Sequence, residues 1–330
     1  MKKYHILTCL LSCLFIISCA TTSDEANKPQ WIENANEGYP DNEYLTAVGQ
    51  ASQPDRASTN AKVNLAEIFY SDIRNGTNTI TEASKQDSAI GISIQSAAYL
   101  QRSIQTKTEQ IINGVMIKES WLSPSGEYYA LAILEKNKVA MSLNQSIREL
   151  DQSSANFIDY SNNLAPTQLA SLIALRTARD EQMTRYLTNL QLKQVSVSDV
   201  PVEISSNAIE SLIAKKLAMM KIAVNGDNQA NKQSVHSALS ELGVNVTNGA
   251  DIVITVNNEV SNPDFINGWH WLQSSLQLSI SEKGQVISRK DWQIKVSAKQ
   301  QHLLYSRLQD KIENKMTQYI TALLSDSPSL

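Results

Sequence analysis

The stretch WLQSSLQLSISEKGQVISRKDWQIKVS, residues 271–297, decides the fold. Its two halves, Trp271 to Ser281 and Gln285 to Ser297, carry spaced Leu, Ile, Val and Trp and read as strands. Lys283 and Gly284 between them supply the short Gly-containing link of a hairpin. Upstream, Asp251 to Val256 is a further strand candidate. Val202 to Ile204 and Met220 to Val224 read as two more, placed around a helix at Asn207 to Leu217. A helix at Lys232 to Leu242 ends at Gly243, where a residue free to adopt positive φ closes a helix. Downstream, Gln300 to Leu324 places Leu304, Leu308, Ile312, Met316, Ile320 and Leu323 on one helical face. Residues 195–330 therefore read as a self-contained α/β domain.

Before it, Leu143, Ile147, Leu150, Ser154, Phe157, Ser161 and Leu164 recur at spacings of three and four, a heptad-like stripe. Ala165 and Pro166 interrupt the stripe. It resumes over Thr167 to Lys193 with Leu169, Leu172, Ile173, Met183, Leu187 and Leu190, so residues 139–194 predict an antiparallel helical hairpin. Each stripe is expected to pack on the other helix and on the adjacent domain, because the repeat is too short to demand a second chain; the alternative is an oligomerising coiled coil. Arg176, Arg179, Asp180, Glu181 and Arg185 read as a solvated charged face of the second helix.

Residues 31–138 open with a strand at Tyr44 to Gly49 and a helix at Arg56 to Arg74, whose Ala57, Ala61, Leu65, Phe69 and Ile73 share a face. A strand at Thr77 to Ala83 and a helical segment around Ala97 to Ile104 follow. Val115 to Leu122 and Tyr128 to Glu135 are then paired strands, joined tightly through Ser123, Pro124, Ser125 and Gly126. The fold class is α+β: two small α/β domains with mixed or antiparallel sheets, connected by the long helical hairpin.

At the start of the chain, Lys2 and Lys3 precede an apolar run from Ile6 to Ile17, which is the pattern of a secretory signal. The run is shorter than the about 20 apolar residues that span a bilayer. Ile16-Ile17-Ser18-Cys19 resembles the lipobox of bacterial lipoproteins. Ser18 is the small residue before the cut, and the Cys19 thiol receives the diacylglycerol. Leu10-Leu11-Ser12-Cys13 is a second match, but it leaves a very short signal and keeps the apolar Leu14 to Ile17 on the mature chain. An ordinary cut near Ala20 and an uncleaved anchor are the other readings. Residues 1–18 are thus the signal and 19–30 a polar tether. Ala20 rather than Asp after the cysteine directs an acylated, palmitate-bearing terminus to the outer membrane under the sorting rule of enteric lipoproteins.

Cys9, Cys13 and Cys19 are the only cysteines, so the mature chain has no structural disulfide and no thiolate metal site. The chain has 29 basic and 33 acidic residues; without Lys2 and Lys3 the balance becomes 27 against 33, a formal net charge of −6, which disfavours nucleic acid as a partner. His236, His270 and His302 have no metal-ligand spacing, and nucleophile-elbow, phosphate-loop and zinc-protease motifs are absent from the sequence. No cofactor is expected. Val224-Asn225-Gly226-Asp227 follows a strand, where an α/β protein holds ligands, but such turns are routine. The conspicuous cluster is Trp269, His270 and Trp271 beside Asn267 and Gly268. One reading is an exposed loop gripping a partner or a sugar polymer; the other has one Trp entering the core at the start of the strand.

Pro29 and Trp31, YLTAVG at residues 44–49, the alanine-spaced helix after it and GEYYALAIL at residues 126–134 resemble, in order and spacing, the Lpp-twenty family of envelope lipoproteins. The resemblance covers roughly residues 29–138 and implies a structural or adaptor role in the envelope rather than catalysis, with no catalytic residues to carry over. The C-terminal element order is similar to small α/β domains of periplasmic proteins such as the Tol-system translocation protein, which implies protein binding. The expected function is a non-catalytic, outer-membrane lipoprotein facing the periplasm, with other envelope proteins as partners. The alternatives are a part in flagellar or surface-organelle assembly, and an envelope enzyme with a site of scattered residues.

Overall fold

The computed structural model describes residues 28–68, 71, 102, 114–197 and 200–324. The signal, Cys19, the strand expected at Thr77 to Ala83 and most of the helical segment expected near Ala97 lie outside them. The chain is α+β, and its described residues divide into two compact units.

The first unit is a three-stranded sheet with strand β1 (Tyr44–Ala51) beside β3 (Tyr128–Glu135) and β2 (Met116–Leu122) on the far side of β3. Strands β2 and β3 are antiparallel, and their tight link works as the sequence predicts: Gly126 takes φ +87° while the Ser123 hydroxyl accepts from the Glu127 amide at 2.9 Å. As the central strand, β3 is buried over Ala130 to Leu134. Leu131 and Ile133 pack with Trp31 and an aromatic group that includes Tyr39, Tyr44, Trp121 and Tyr129. Helix α1, helical over residues 54–68, lies against β1. A Cβ on Gly49 would stand 2.1 Å from the Ala61 nitrogen and 2.4 Å from the Ala57 carbonyl oxygen, so backbone meets backbone there. Asn60 and Asn64 then donate to the Gln50 and Val48 carbonyls, occupying acceptors on an edge strand.

The second unit begins with α2 (Lys136–Asp159), a π-helical turn (Tyr160–Leu164) and α3 (Gln168–Val195), followed by α4 (Ser206–Met219). Next come β4 (Lys221–Gly226), α5 (Gln229–Glu241), β5 (Asn245–Val246), β6 (Ile252–Val260), β7 (Asp264–Ile266), β8 (Trp269–Glu282), β9 (Gln285–Ala298) and α6 (Leu304–Leu323). Strands β5, β4 and β6 are parallel, whereas β6, β8 and β9 are antiparallel. The sheet is therefore mixed. Alternate residues such as Ile254, Leu276, Ile280 and Ile294 point into one core shared with α3 to α6, and the opposite face of β8 and β9 carries Gln273, Ser275, Gln277, Gln293 and Lys295.

The helical hairpin is part of this unit rather than a free-standing spacer. Ile147 is fully buried, and Leu169, Leu172, Leu175 and Ala178 enter the sheet's core. Ser154 donates to the Ala178 carbonyl, and the Ser161 and Ser171 hydroxyls meet at 2.7 Å, which explains the serines within the apolar stripe.

Two expectations are corrected. Val202 to Ile204 is not a strand: the Val200 and Pro201 carbonyls accept from the Arg185 guanidinium at 3.0 and 2.7 Å, which fixes the chain there as an irregular connection. The charged face of α3 is not solvated either. Arg176, Arg179 and Arg185 are buried, with Arg185 at 1% exposure bonded to Asp151 of α2. Burial and the neighbouring Arg179 pull the Arg176 guanidinium down to about 10, against the opposing pull of Asp180.

Candidate functional site

Strand β7 and the first residues of β8 form a short hairpin that the sequence reading did not resolve. Asp264 pairs with Trp271, Phe265 with His270 and Ile266 with Trp269. Asn267 and Gly268 between them have φ +51° and +78°, the two positive values of a two-residue turn whose twist matches that of the strands. Asn-Gly is the preferred sequence for this turn, and it was the signal available in the chain. Its flanking strand has only three residues and buries none of them, so no apolar alternation marked it.

Cross-strand partners share a face, which sorts the side chains. Phe265 and His270 lie on one face with ring centroids 4.6 Å apart. Ile266, Trp269, Asp264 and Trp271 lie on the other, continuous with the polar face of the sheet. Phe265 is 64% exposed, Ile266 53% and Trp269 38%. His270 and Trp271 are half-buried. The core of β8 begins one residue later, at Leu272, so neither Trp enters it.

Strand β9 continues the same end of the sheet, since His270 pairs with Ala298 and Trp271 with Ser297. Lys295 lies diagonal to Trp271 and holds its Nζ 4.4 Å from the ring centre; Lys299 Nζ stands 5.7 Å from the Trp269 ring. Two α6 cations complete the cluster: Lys311 donates to the Lys295 carbonyl at 2.8 Å and Arg307 to the Ser297 carbonyl. The tip is thus apolar with a basic rim, in an acidic chain.

Residues 29–135 match the family model of the LPP20 lipoproteins. This is the family that the motifs at Pro29, Trp31, YLTAVG and GEYYALAIL resemble, and the match supports an envelope lipoprotein. No curated protein matches the chain. Among solved structures, a secreted protein of Helicobacter pylori is 15% identical with TM-score 0.43, covering 86% of this chain and 97% of that one. A minor lipoprotein from Acinetobacter baumannii is 19% identical with TM-score 0.27, covering 32% of this chain and 90% of its own. The rare lipoprotein B from Shewanella oneidensis is 10% identical with TM-score 0.22, covering 32% and 90%. The hairpin tip lies beyond the LPP20-matching segment.

Other places have simpler accounts. A cavity of about 520 Å³ between α2 and α3 is walled mainly by Phe157, Tyr160, Leu164, Ala170, Ile173 and Ala174, and Asp159 is the one carboxylate lining it. The turn after β4 is structural. A Cβ on Gly226 would meet Val256 at 2.7 Å, and the Asp227 carboxylate accepts from the Asn258 amide at 3.4 Å. His236 and His302 are exposed, and among the described residues no group of three His, Cys, Asp or Glu could hold a metal ion.

Proposed function

We propose that this chain is a non-catalytic structural or adaptor lipoprotein of the bacterial envelope. It is held on the outer membrane by the lipid on Cys19 and faces the periplasm, and its second unit meets another envelope component through the β7–β8 tip. The exposed Phe265, Ile266 and Trp269 on a rigid two-residue turn carry this reading, because large aromatic side chains left outside a core are enriched at contact surfaces. The lipobox at Ile16 to Cys19 and the LPP20 match over residues 29–135 support the anchor. Two buried charged groups support a non-catalytic role because they have structural employment: Arg185 ties α2 to the chain after α3, and Glu282 caps the α3 N-terminus by accepting from the Gln168 and Leu169 amides.

Crosslinking in intact cells tests the reading, with the wild type compared with Cys19→Ala and Trp269→Ala after membrane fractionation and mass spectrometry of the N-terminus. Acylation and outer-membrane recovery lost with Cys19, and crosslinks lost with Trp269, are the expected results. An unacylated, soluble wild type overturns the anchor. Crosslinks to protein and to lipid that both persist unchanged in Trp269→Ala overturn the tip.

A further inference from the structure

We propose that the β7–β8 tip enters the headgroup layer of an anionic lipid bilayer, giving the protein a membrane contact besides its covalent lipid. This rests on the reading above that the tip is a contact surface, and it names the chemistry contacted. Three observations favour lipid over a protein surface. First, the tip presents apolar groups on both faces, Phe265 on one and Ile266 and Trp269 on the other. The headgroup layer of a bilayer covers both faces of an inserted hairpin at once. Second, the side chains are layered along the hairpin. The two pairs nearest the turn carry the exposed Ile266, Trp269 and Phe265, and Trp271 stands one pair behind them; both indoles suit the boundary between hydrocarbon and water. Third, the charge is complementary. Lys295 and Lys299 hold their ammonium groups beside those same indoles, and Arg307 and Lys311 stand at the adjacent β9 edge, four cations against Asp264 on the tip, Glu259 on the same face of β6 and Asp310 on α6.

Long Lys stems lie along apolar surface while their charged ends reach anionic headgroups, so rings and cations act at neighbouring depths. A bilayer contact of this size is weak for a free protein. A chain already tethered by a lipid meets the same surface at high effective concentration, and a weak contact then suffices to orient the second unit.

The probe is the processed chain, residues 20–330, prepared without its lipid and sedimented with vesicles of phosphatidylglycerol and phosphatidylethanolamine or of phosphatidylcholine alone. Binding to the anionic vesicles is expected to exceed binding to the neutral ones, to weaken as salt is raised, and to fall about fivefold on Lys299→Gln. It should be abolished by Phe265→Ser/Ile266→Ser/Trp269→Ser, a variant that removes only exposed side chains and must keep the wild-type near-ultraviolet spectrum outside the Trp269 contribution. Brominated acyl chains should quench part of the wild-type Trp fluorescence and quench less in Trp269→Phe, where Trp271 remains. No sedimentation with anionic vesicles, or sedimentation undiminished in the triple variant, overturns the proposal. If vesicles fail while tip-dependent crosslinks to an envelope protein remain, the lipid inference falls and the contact surface stands. If neither depends on the tip, both fall.

Discussion

Arg185 shows how a charged residue that looks solvated in sequence becomes structural. Its position among Arg176, Arg179, Asp180 and Glu181 suggests helix-surface pairing, yet its partners are Asp151, thirty-four residues earlier, and the carbonyls of Val200 and Pro201. Those contacts are tertiary, and no local pattern announces them. Glu181 gives this region a testable pH dependence. Burial raises its carboxyl above the ordinary value of 4.5, with a smaller push from Asp180, while hydrogen bonds from Ser153 and Ser154 pull it back. Between the ordinary and the raised value the folded state keeps a proton that the unfolded state has lost. The stabilisation is therefore complete below the ordinary value and disappears as pH rises through the raised one. Glu181→Gln lacks this titration. Urea unfolding of both proteins between about pH 4 and about pH 8 should show the wild type losing stability relative to the variant as pH rises. Parallel curves would remove Glu181 as the cause.

Among elements, legibility follows how much of an element's pattern is set by its own core face. Strand β3 was readable at both ends, Tyr128 and Glu135, because YYALAIL is continuously apolar between a turn and a polar helix start. Strands β8 and β9 were readable to within two residues from their spaced apolar positions and the Lys283-Gly284 link. Strand β7 was missed because it touches no core. Within the first unit, YLTAVG and the alanine spacing of α1 prove to be two sides of one contact, since Gly49 lies against Ala57 and Ala61. Gly49→Ala should therefore separate β1 from α1, not merely stiffen a strand. The clash is with backbone that no rotamer change relieves, so its cost is expected at or above the upper end of the about 1–3 kcal/mol typical of overpacking. Chemical denaturation of the full chain checks this. A loss below about 0.5 kcal/mol, the usual scale of a surface substitution, would show that the helix retreats freely.

For the whole molecule, the α+β class, two α/β regions and the packing of the hairpin stripes on each other and on the adjacent domain were legible, whereas how far the hairpin shares that domain's core required the structure. Its apolar stripe is shared between the two helices and the sheet's core, so the stripe on α3 closes a layer that α5 and α6 leave open. Glu282 makes the same point in polar terms. Buried at 4% exposure, it faces the α3 N-terminus and accepts two of the amides a helix start leaves unpaired. Residues 195–330 alone would expose the core side chains that meet Leu169, Leu172 and Leu175, and would leave the Glu282 carboxylate without its donors. That fragment is expected to keep much of its far-ultraviolet signal, lose near-ultraviolet structure and bind an apolar dye, in contrast to the full chain. If residues 195–330 instead unfold cooperatively with native-like near-ultraviolet bands and no dye binding, the hairpin is an appendage. The tip's orientation would then be independent of α2 and α3, whereas the shared core makes the hairpin and the sheet that carries the tip a single rigid support.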